Sequence, residues 1–194
     1  MDRPDALAEM SDTALLVRYG NGDVGAANEL TSRLAPRILT YASRILSDEA
    51  EAEDVTQEAM LRLWRVAPNW RQGEAQVSTW LYRVASNLCM DRLRKRGRST
   101  PLDAVHEVQD DRPEVASDMI ARDRKMALEA ALVRLPERQR QAVVLRHIEG
   151  LSNPEIAAVM DIGVEAVESL TARGKRALVA WLRPEREQLG YNDD

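Results

Sequence analysis

Apolar residues in this chain return at every third or fourth position, and nowhere do they alternate. Leu30, Leu34, Ile38, Tyr41, Ile45 and Leu46 mark one such line. Val55, Ala59, Leu63 and Val66 mark a second, and Val77, Leu81, Val84 and Leu88 a third. Spacings of three and four place side chains on one stripe of an α-helix, whereas a half-buried strand needs a period of two. The pattern predicts an all-α protein.

One stretch has no period at all. GRSTPLDAVHEVQDDRPEVASD (Gly97 to Asp118) carries two prolines and, from Ser99 onward, six acids against the single Arg112. A structureless segment of about twenty residues is rare inside one compact domain. It therefore predicts two small helical domains, residues 11–97 and 119–183, joined by a flexible acidic linker over 98–118 and followed by a polar tail, 184–194.

Within the first domain, Ser11 and Asp12 can cap a short helix carrying Leu15, Leu16 and Tyr19, and GNGD (Gly20 to Asp23) turns into a second. Pro36 falls inside that second helix and predicts a kink or a break, because proline lacks the N–H that the helix ladder uses. A third helix runs from about Asp48 to Val66, with acids crowded at its start, where they favour the helix dipole. APNWRQGEAQ (Ala67 to Gln76) then interrupts the pattern before the fourth helix.

Charge narrows the functional classes. The formal net charge is −5, and twelve acids face five arginines between Met1 and Leu61. Yet Arg92, Arg94, Lys95, Arg96 and Arg98 place five basic residues in seven positions. A protein that simply coats duplex DNA is basic overall. Here any nucleic-acid contact is local and assisted by a partner.

No apolar run approaches the ~18 residues of a membrane span, so no membrane insertion is expected. The acidic start MDRPDALAEMSD is no secretory signal. One cysteine, Cys89, allows no internal disulfide and fits the cytoplasm. His106 lies in the linker, and His147 has no Cys, His or acid at metal spacing. With no Gly-rich phosphate loop either, no enzyme, metal or cofactor is expected.

Three stretches carry functional signals. In LSNPEIAAVMDIGVEAVESLTARGKRAL (Leu151 to Leu178), Ser152 and Glu155 form an S-x-x-E capping box with Pro154 in the first turn. A three-residue turn, Asp161 to Gly163, leads into a second helix, so the stretch reads as a helix-turn-helix or as a plain helical hairpin. Its second helix would present Glu165, Ala166, Glu168, Ser169, Arg173, Lys175 and Arg176. Carboxylates accept from cytosine N4, small residues touch thymine methyls and basic residues suit phosphates.

The second stretch is STWLYRVASNLCMDRLRKRGR (Ser78 to Arg98) with the loop before it. Trp64, Trp70, Trp80 and Tyr82 hold half of the eight aromatics. Trp64 and Trp80 can be core or stacking plates. Tyr82, Arg83, Ser86, Asn87, Met90 and Arg94 are expected on the polar side, where an aromatic beside cations suits a stacked base. The third is EAEDVTQEAMLRLWR (Glu51 to Arg65), where Asp54, Gln57, Glu58, Leu61, Arg62 and Arg65 lie opposite the core stripe. Such a face can be a partner site or merely solvated.

These stretches, with LPERQRQAVVLRHIEGLSNPEIAAVM, stand in an order and at separations that resemble the extracytoplasmic-function sigma factors of bacterial RNA polymerase. The resemblance covers about Leu15 to Leu182. It implies a partner, core RNA polymerase, gripped at the β′ clamp through Asp54, Gln57, Glu58, Leu61, Arg62 and Arg65, with the β flap as a further contact.

It also implies promoter DNA as ligand. Trp80, Tyr82, Arg83 and Asn87 would melt and read the −10 element, with Trp70 in the Asn69–Ser78 pocket for a flipped base. Arg92, Arg94, Lys95, Arg96 and Arg98 would hold adjacent phosphates. Ser152, Glu165, Ala166, Glu168, Ser169, Arg173, Lys175 and Arg176 would serve the −35 element. An anti-sigma factor is a further implied partner. One departure stands out: Leu170 follows Ser169 where the family often has arginine.

Overall fold

The first helix begins where Ser11 accepts the amide of Ala14, an N-cap that serves one of the otherwise unpaired N–H groups of a helix start. A computed structural model of the chain describes residues 7–71, 73, 76–99 and 116–183, and the side chains of all of these except 98, 99 and 116–121. Eight α-helices occur among the described residues: α1 Asp12–Gly20, α2 Val24–Leu46, α3 Glu49–Val66, α4 Val77–Ser99, α5 Ala116–Val133, α6 Glu137–Val143, α7 Asn153–Met160 and α8 Val164–Leu182. A short 3-10 turn, Ala67–Asn69, follows α3, and a π turn, Val144–Ile148, prolongs α6. No strand is found among the described residues, so the fold is all-α.

The caps repeat one device. Asp23 accepts from Ala26 at the start of α2, and Asp48 accepts from Glu51 at the start of α3. The break expected at Pro36 does not occur, because α2 runs through it as one helix. Pro36 is on the exposed side, and the carbonyl that loses its partner, that of Ser32, belongs to an exposed residue that water can serve. The expected linker falls mostly on residues 100–115, outside the described part, while 97–99 belong to α4 and 116–118 to α5.

Helices α1 to α4 enclose Leu15, Leu16, Leu30, Leu34, Ile38, Ile45, Val55, Leu63 and Leu81. Each such side chain contributes about 1.5–3 kcal/mol when fully buried. Helices α5 to α8 gather around Leu132, Leu135, Val144, Leu145, Ile156, Val159 and Val167. Gly174 lets α8 approach α6 closely, since a Cβ there would lie 2.6 Å from Val143 Cγ2.

The two groups also pack on each other. α4 lies along α7, and α2 touches α5, α6 and the π turn. The buried residues of both form one continuous core cluster.

Candidate nucleic-acid interface

Three faces carry the residues singled out above. On α3 the buried side is Ala52, Val55, Thr56, Ala59, Met60 and Leu63. Opposite it, Asp54, Gln57, Leu61, Arg62 and Arg65 are exposed and Glu58 is half-buried. Leu61 is 50% exposed in the middle of this charged stripe, flanked by an Arg62–Glu58 ion pair of 2.8 Å. The hydrogen bond from Arg62 holds the Glu58 carboxyl below its ordinary range. The structure brings all six residues onto one side of one helix.

On α4 the outcome is mixed. The loop leading to it places Trp70 and Trp80 edge to face, with ring centroids 5.9 Å apart and both rings half-buried. Residues 72, 74 and 75 of the expected base pocket lie outside the described part. Trp64 turns the other way and packs on Tyr19 at 4.7 Å, so it serves the core. Arg83 and Asn87 are exposed.

Tyr82 departs from expectation. Its residue is 1% exposed, not on the polar side. The ring meets Tyr41 edge-on at 5.5 Å, with the Arg37 guanidinium 5.6 Å from its centre. Its hydroxyl donates to the Glu149 carboxylate, and burial together with that contact pushes the phenol well above its ordinary range. Ser86, also expected on the polar side, is 2% exposed and bonded to Gln141. The buried line of α4 is Val77, Leu81, Tyr82, Ala85, Ser86 and Cys89, with Val84 and Leu88 only half-buried. The stripe is rotated because α4 is packed on two sides, by α2 and α3 and by α7.

The basic end of α4 also divides. Arg96 donates to the Leu46 carbonyl at 2.9 Å and to Asp48 at 2.9 Å, and its Nε reaches Glu51 at 3.2 Å. Arg92 donates to the Glu51 carbonyl at 2.6 Å and lies 3.8 Å from Asp54. These two arginines staple α4 to the α2–α3 corner, so part of the basic run Arg92 to Arg98 is engaged within the protein. Arg94 is exposed and pairs with Asp91 on its own helix, and Lys95 is exposed. The side chain of Arg98 lies outside the described part.

The third face is the helix pair α7–α8. Ser152 and Glu155 form the expected capping box, the Ser152 amide donating to Glu155 Oε2 at 2.8 Å. Those Ser152 bonds hold the Glu155 carboxyl below its ordinary range. The turn Asp161–Gly163 reverses the chain, with Asp161 in the left-handed region at φ 53°. On α8, Val167, Gly174 and Leu178 are buried, and Glu165, Ala166, Glu168, Arg173, Lys175 and Arg176 are exposed.

Ser169 holds Arg173 in place, accepting from its Nη2 at 2.6 Å, and Asn153 donates to Glu168 at 3.4 Å. Leu170 is half-buried against the core, so its place on α8 is explained by packing. His147 is driven toward its neutral form by burial, with Lys175 and Arg146 adding to the effect.

Sequence reasoning missed Arg140, Gln141 and Glu149, the residues that meet α2 and α4. Only the structure marks them: Arg140 to Leu145 are six consecutive buried residues, two of them polar. A polar pair inside a run without a solvent side implies packing all round.

No group of three or more potential metal ligands occurs among the described residues, and none of the described helices is long and apolar enough to cross a membrane.

Comparison with known proteins adds an independent line. Residues 30–99 match the family described as Sigma-70 region 2, and residues 125–178 match Sigma-70, region 4. The RNA polymerase sigma-H factor of Pseudomonas aeruginosa is 33% identical over 190 residues, covering 92% of this chain and 97% of that protein. The ECF RNA polymerase sigma factor SigE of Mycolicibacterium smegmatis is 36% identical over 177 residues, covering 88% and 68%. The ECF RNA polymerase sigma-E factor of Escherichia coli strain K12 is 30% identical over 186 residues, covering 91% and 96%.

Two solved structures share the fold. CnrH in complex with the cytosolic domain of CnrY has a TM-score of 0.67 at 24% identity, covering 90% of this chain and 98% of that one. The sigma factor RpoE in complex with the anti-sigma factor NepR, from Bartonella quintana, has a TM-score of 0.66 at 20% identity, covering 80% and 96%.

Proposed function

The chain belongs to the extracytoplasmic-function sigma factors of RNA polymerase, and from that premise we propose how its three faces divide the work of promoter-specific initiation. It is an alternative sigma factor: it binds core RNA polymerase and directs it to promoters. Its mechanism is binding energy spent on capturing melted DNA, and bond formation is left to the polymerase.

The α3 face docks on the β′ clamp. The observation that carries this assignment is the exposed stripe Asp54, Gln57, Leu61, Arg62 and Arg65, in which an apolar residue 50% exposed sits among charges. An exposed apolar side chain ringed by polar groups suits the centre of an interface, because a partner that covers it removes apolar surface from water while the polar rim stays solvated. The β flap takes the second domain, helices α5 to α8.

On α4, Asn87, Arg83, Trp80 and Trp70 read the −10 strand, joined by Tyr82 once its present contacts are released. Arg94, Lys95 and Arg98 hold neighbouring phosphates, while Arg92 and Arg96 keep the helix in register. On α8, Glu165, Ala166, Glu168 and Ser169 meet base edges of the −35 element in the major groove. Arg173, Lys175 and Arg176 meet its phosphates, with Ser152 at the start of α7.

The chain works in the cytoplasm, where its polymerase and DNA are. An anti-sigma factor holds it inactive until a stress signal. The motive is the fold shared with the Bartonella protein that was solved bound to such a factor.

The test is a titration onto core RNA polymerase against the housekeeping sigma factor. Displacement by the wild type, and its loss in Leu61→Asp, is the expected result. No displacement by a folded sample free of inhibitor would sink the reading.

A further inference from the structure

We propose that the duplex-binding surface of the second domain continues past α8 onto the π turn, where His147 joins Arg146 and Lys175 to hold one DNA backbone phosphate and takes up a proton as it does so. The inference rests on the assignment of α8 to DNA and adds to it a contact residue and a pH dependence.

The π turn sets two side chains out. The Glu149 amide reaches back five residues to the Val144 carbonyl at 3.0 Å, and the Leu151 amide donates to the Leu145 carbonyl at 3.0 Å. A widened turn of this kind shifts side chains out of the ordinary helical register and is frequent at functional sites. Here Val144 and Leu145 stay buried, while Arg146 and His147 are both exposed. Arg146 is fixed there by a 3.0 Å bond from its Nη1 to the Leu151 carbonyl, just before α7. A guanidinium carries five N–H donors, so the others can serve a phosphate.

Helix α8 brings the third cation. Gly174 lies against α6, where a Cβ would fall 2.6 Å from Val143 Cγ2 and 3.4 Å from the Gln139 carbonyl oxygen. Its neighbour Lys175 is thereby carried to the turn that prolongs α6, close enough for its charge to act on the His147 imidazole. Asn153, at the start of α7, reaches Glu168 of α8 at 3.4 Å. In a helix-turn-helix the first helix of the pair crosses the backbone while the second enters the groove. The π turn stands directly before that first helix, so a strand crossing α7 passes it.

Among the described residues, the charges acting on His147 are Arg146 of its own turn and Lys175 of α8. The nearby carboxylates are engaged elsewhere: Glu149 accepts from Tyr82, Glu155 from Ser152 and Glu168 from Asn153. On α6, Arg140 is turned to the Ile45 and Val133 carbonyls, and Glu137 and Arg138 lie at the opposite end of the helix. On α2, Arg37 lies over the Tyr82 ring. Partial desolvation, with Lys175 and Arg146, holds the imidazole below its ordinary range. A phosphate reverses that balance, because an anion within hydrogen-bond reach favours the imidazolium. Binding therefore draws a proton from water, and affinity falls as pH rises through the value of the bound state.

The test is fluorescence anisotropy of the full chain with a rhodamine-labelled DNA duplex of random sequence, at about pH 6 and about pH 8 over a range of salt. The wild type should bind about threefold more tightly at the lower pH, within the tenfold that a one-unit rise on binding allows. Its log–log salt slope should steepen there by up to roughly 0.9, the value of one added phosphate contact. His147→Gln should lose both differences. His147→Arg should bind at the higher pH as the wild type does at the lower. His106, the other histidine, is present in all three, so its titration cancels.

Circular dichroism checks that the variants are folded; if His147→Gln is not, His147→Arg carries the test, and binding no tighter than wild type at the higher pH overturns the inference. Equal pH dependence in the wild type and His147→Gln also overturns it. So does a pH dependence without a change in salt slope, which would be proton uptake away from a phosphate, or a wild type that binds no duplex at either pH. Failure of the α8 assignment would show separately, as Arg173→Ala binding the duplex no more weakly than the wild type.

Discussion

Helices α3 and α4 stand side by side in one domain, and each was expected to present a binding face. The α3 face is open to solvent along its length. The α4 face is half taken, with Tyr82 and Ser86 inside the protein and Arg83 beside Asp161. The difference does not arise within either helix, since both are long, well packed and amphipathic. It arises because α7 and the end of α6 settle on α4, whereas none of the described helices α5 to α8 packs comparably on α3. A periodicity identifies the side of a helix that its own domain buries, but not what a second domain will cover.

The comparison can be broken hardest through the core that both helices share. Leu81 is fully buried beneath α4, and Leu81→Ala should cost about 2–5 kcal/mol in a denaturant melt, because a cavity remains where the side chain was. The equivalent truncation on the open face, Leu61→Ala, should leave stability within about 0.5 kcal/mol. A loss at Leu61 as large as that at Leu81 would mean that the α3 face is covered in the free chain.

Leu61→Ala should instead act on the partner, weakening competition for core polymerase by about tenfold, as expected for an anchor at an interface centre. An unchanged displacement curve would remove Leu61 from the clamp contact and leave α3 as a solvated face.

Arg96 sharpens the contrast on α4 itself. Arg96→Ala should lower stability by about 1 kcal/mol, since it ends a carbonyl bond and two partly screened ion pairs at the α2–α3 corner. Arg94→Ala, on an exposed residue, should change stability little but flatten the salt dependence of single-strand binding by roughly 0.7 in log–log slope. Swapped results would return Arg96 to the phosphates and make Arg94 the structural residue.

The smallest expected effect is a pH dependence in the second domain. The Glu155 carboxyl is held below its ordinary 4.5 by the Ser152 hydroxyl and amide. Its contribution is therefore complete above the unfolded value and is lost as pH falls through the lowered folded value. Acid melts of wild type and Glu155→Gln should converge at low pH and separate above about pH 5 by a few tenths of a kcal/mol. Parallel curves at every pH would show that the cap bonds do not depend on its charge.

Much of this was legible in the chain. The boundaries of α3 and α4, the capping box and the three-residue turn before α8 all follow from local rules, in which a side chain serves a backbone group a few positions away. Pro36 was legible in its chemistry but not in its consequence, because whether water can serve the orphaned Ser32 carbonyl depends on which way α2 faces. Leu170 was visible as a departure, but only packing explains it. Arg92 and Arg96 looked like part of a cationic run, and no local rule could reveal that Leu46, Asp48 and Glu51 fold back to meet them.

What the sequence determined by itself, then, is the set of helices, their caps and the family to which the chain belongs. These depend on interactions between residues three or four apart, which need no knowledge of the rest. The tertiary structure decided which functional residues are available. Gln141 reaches Tyr41 and Ser86 across 100 and 55 positions, and Glu149 reaches Tyr82 across 67. Side chains so distant meet only after both helical groups have formed and docked, and burial and access are properties of that docking.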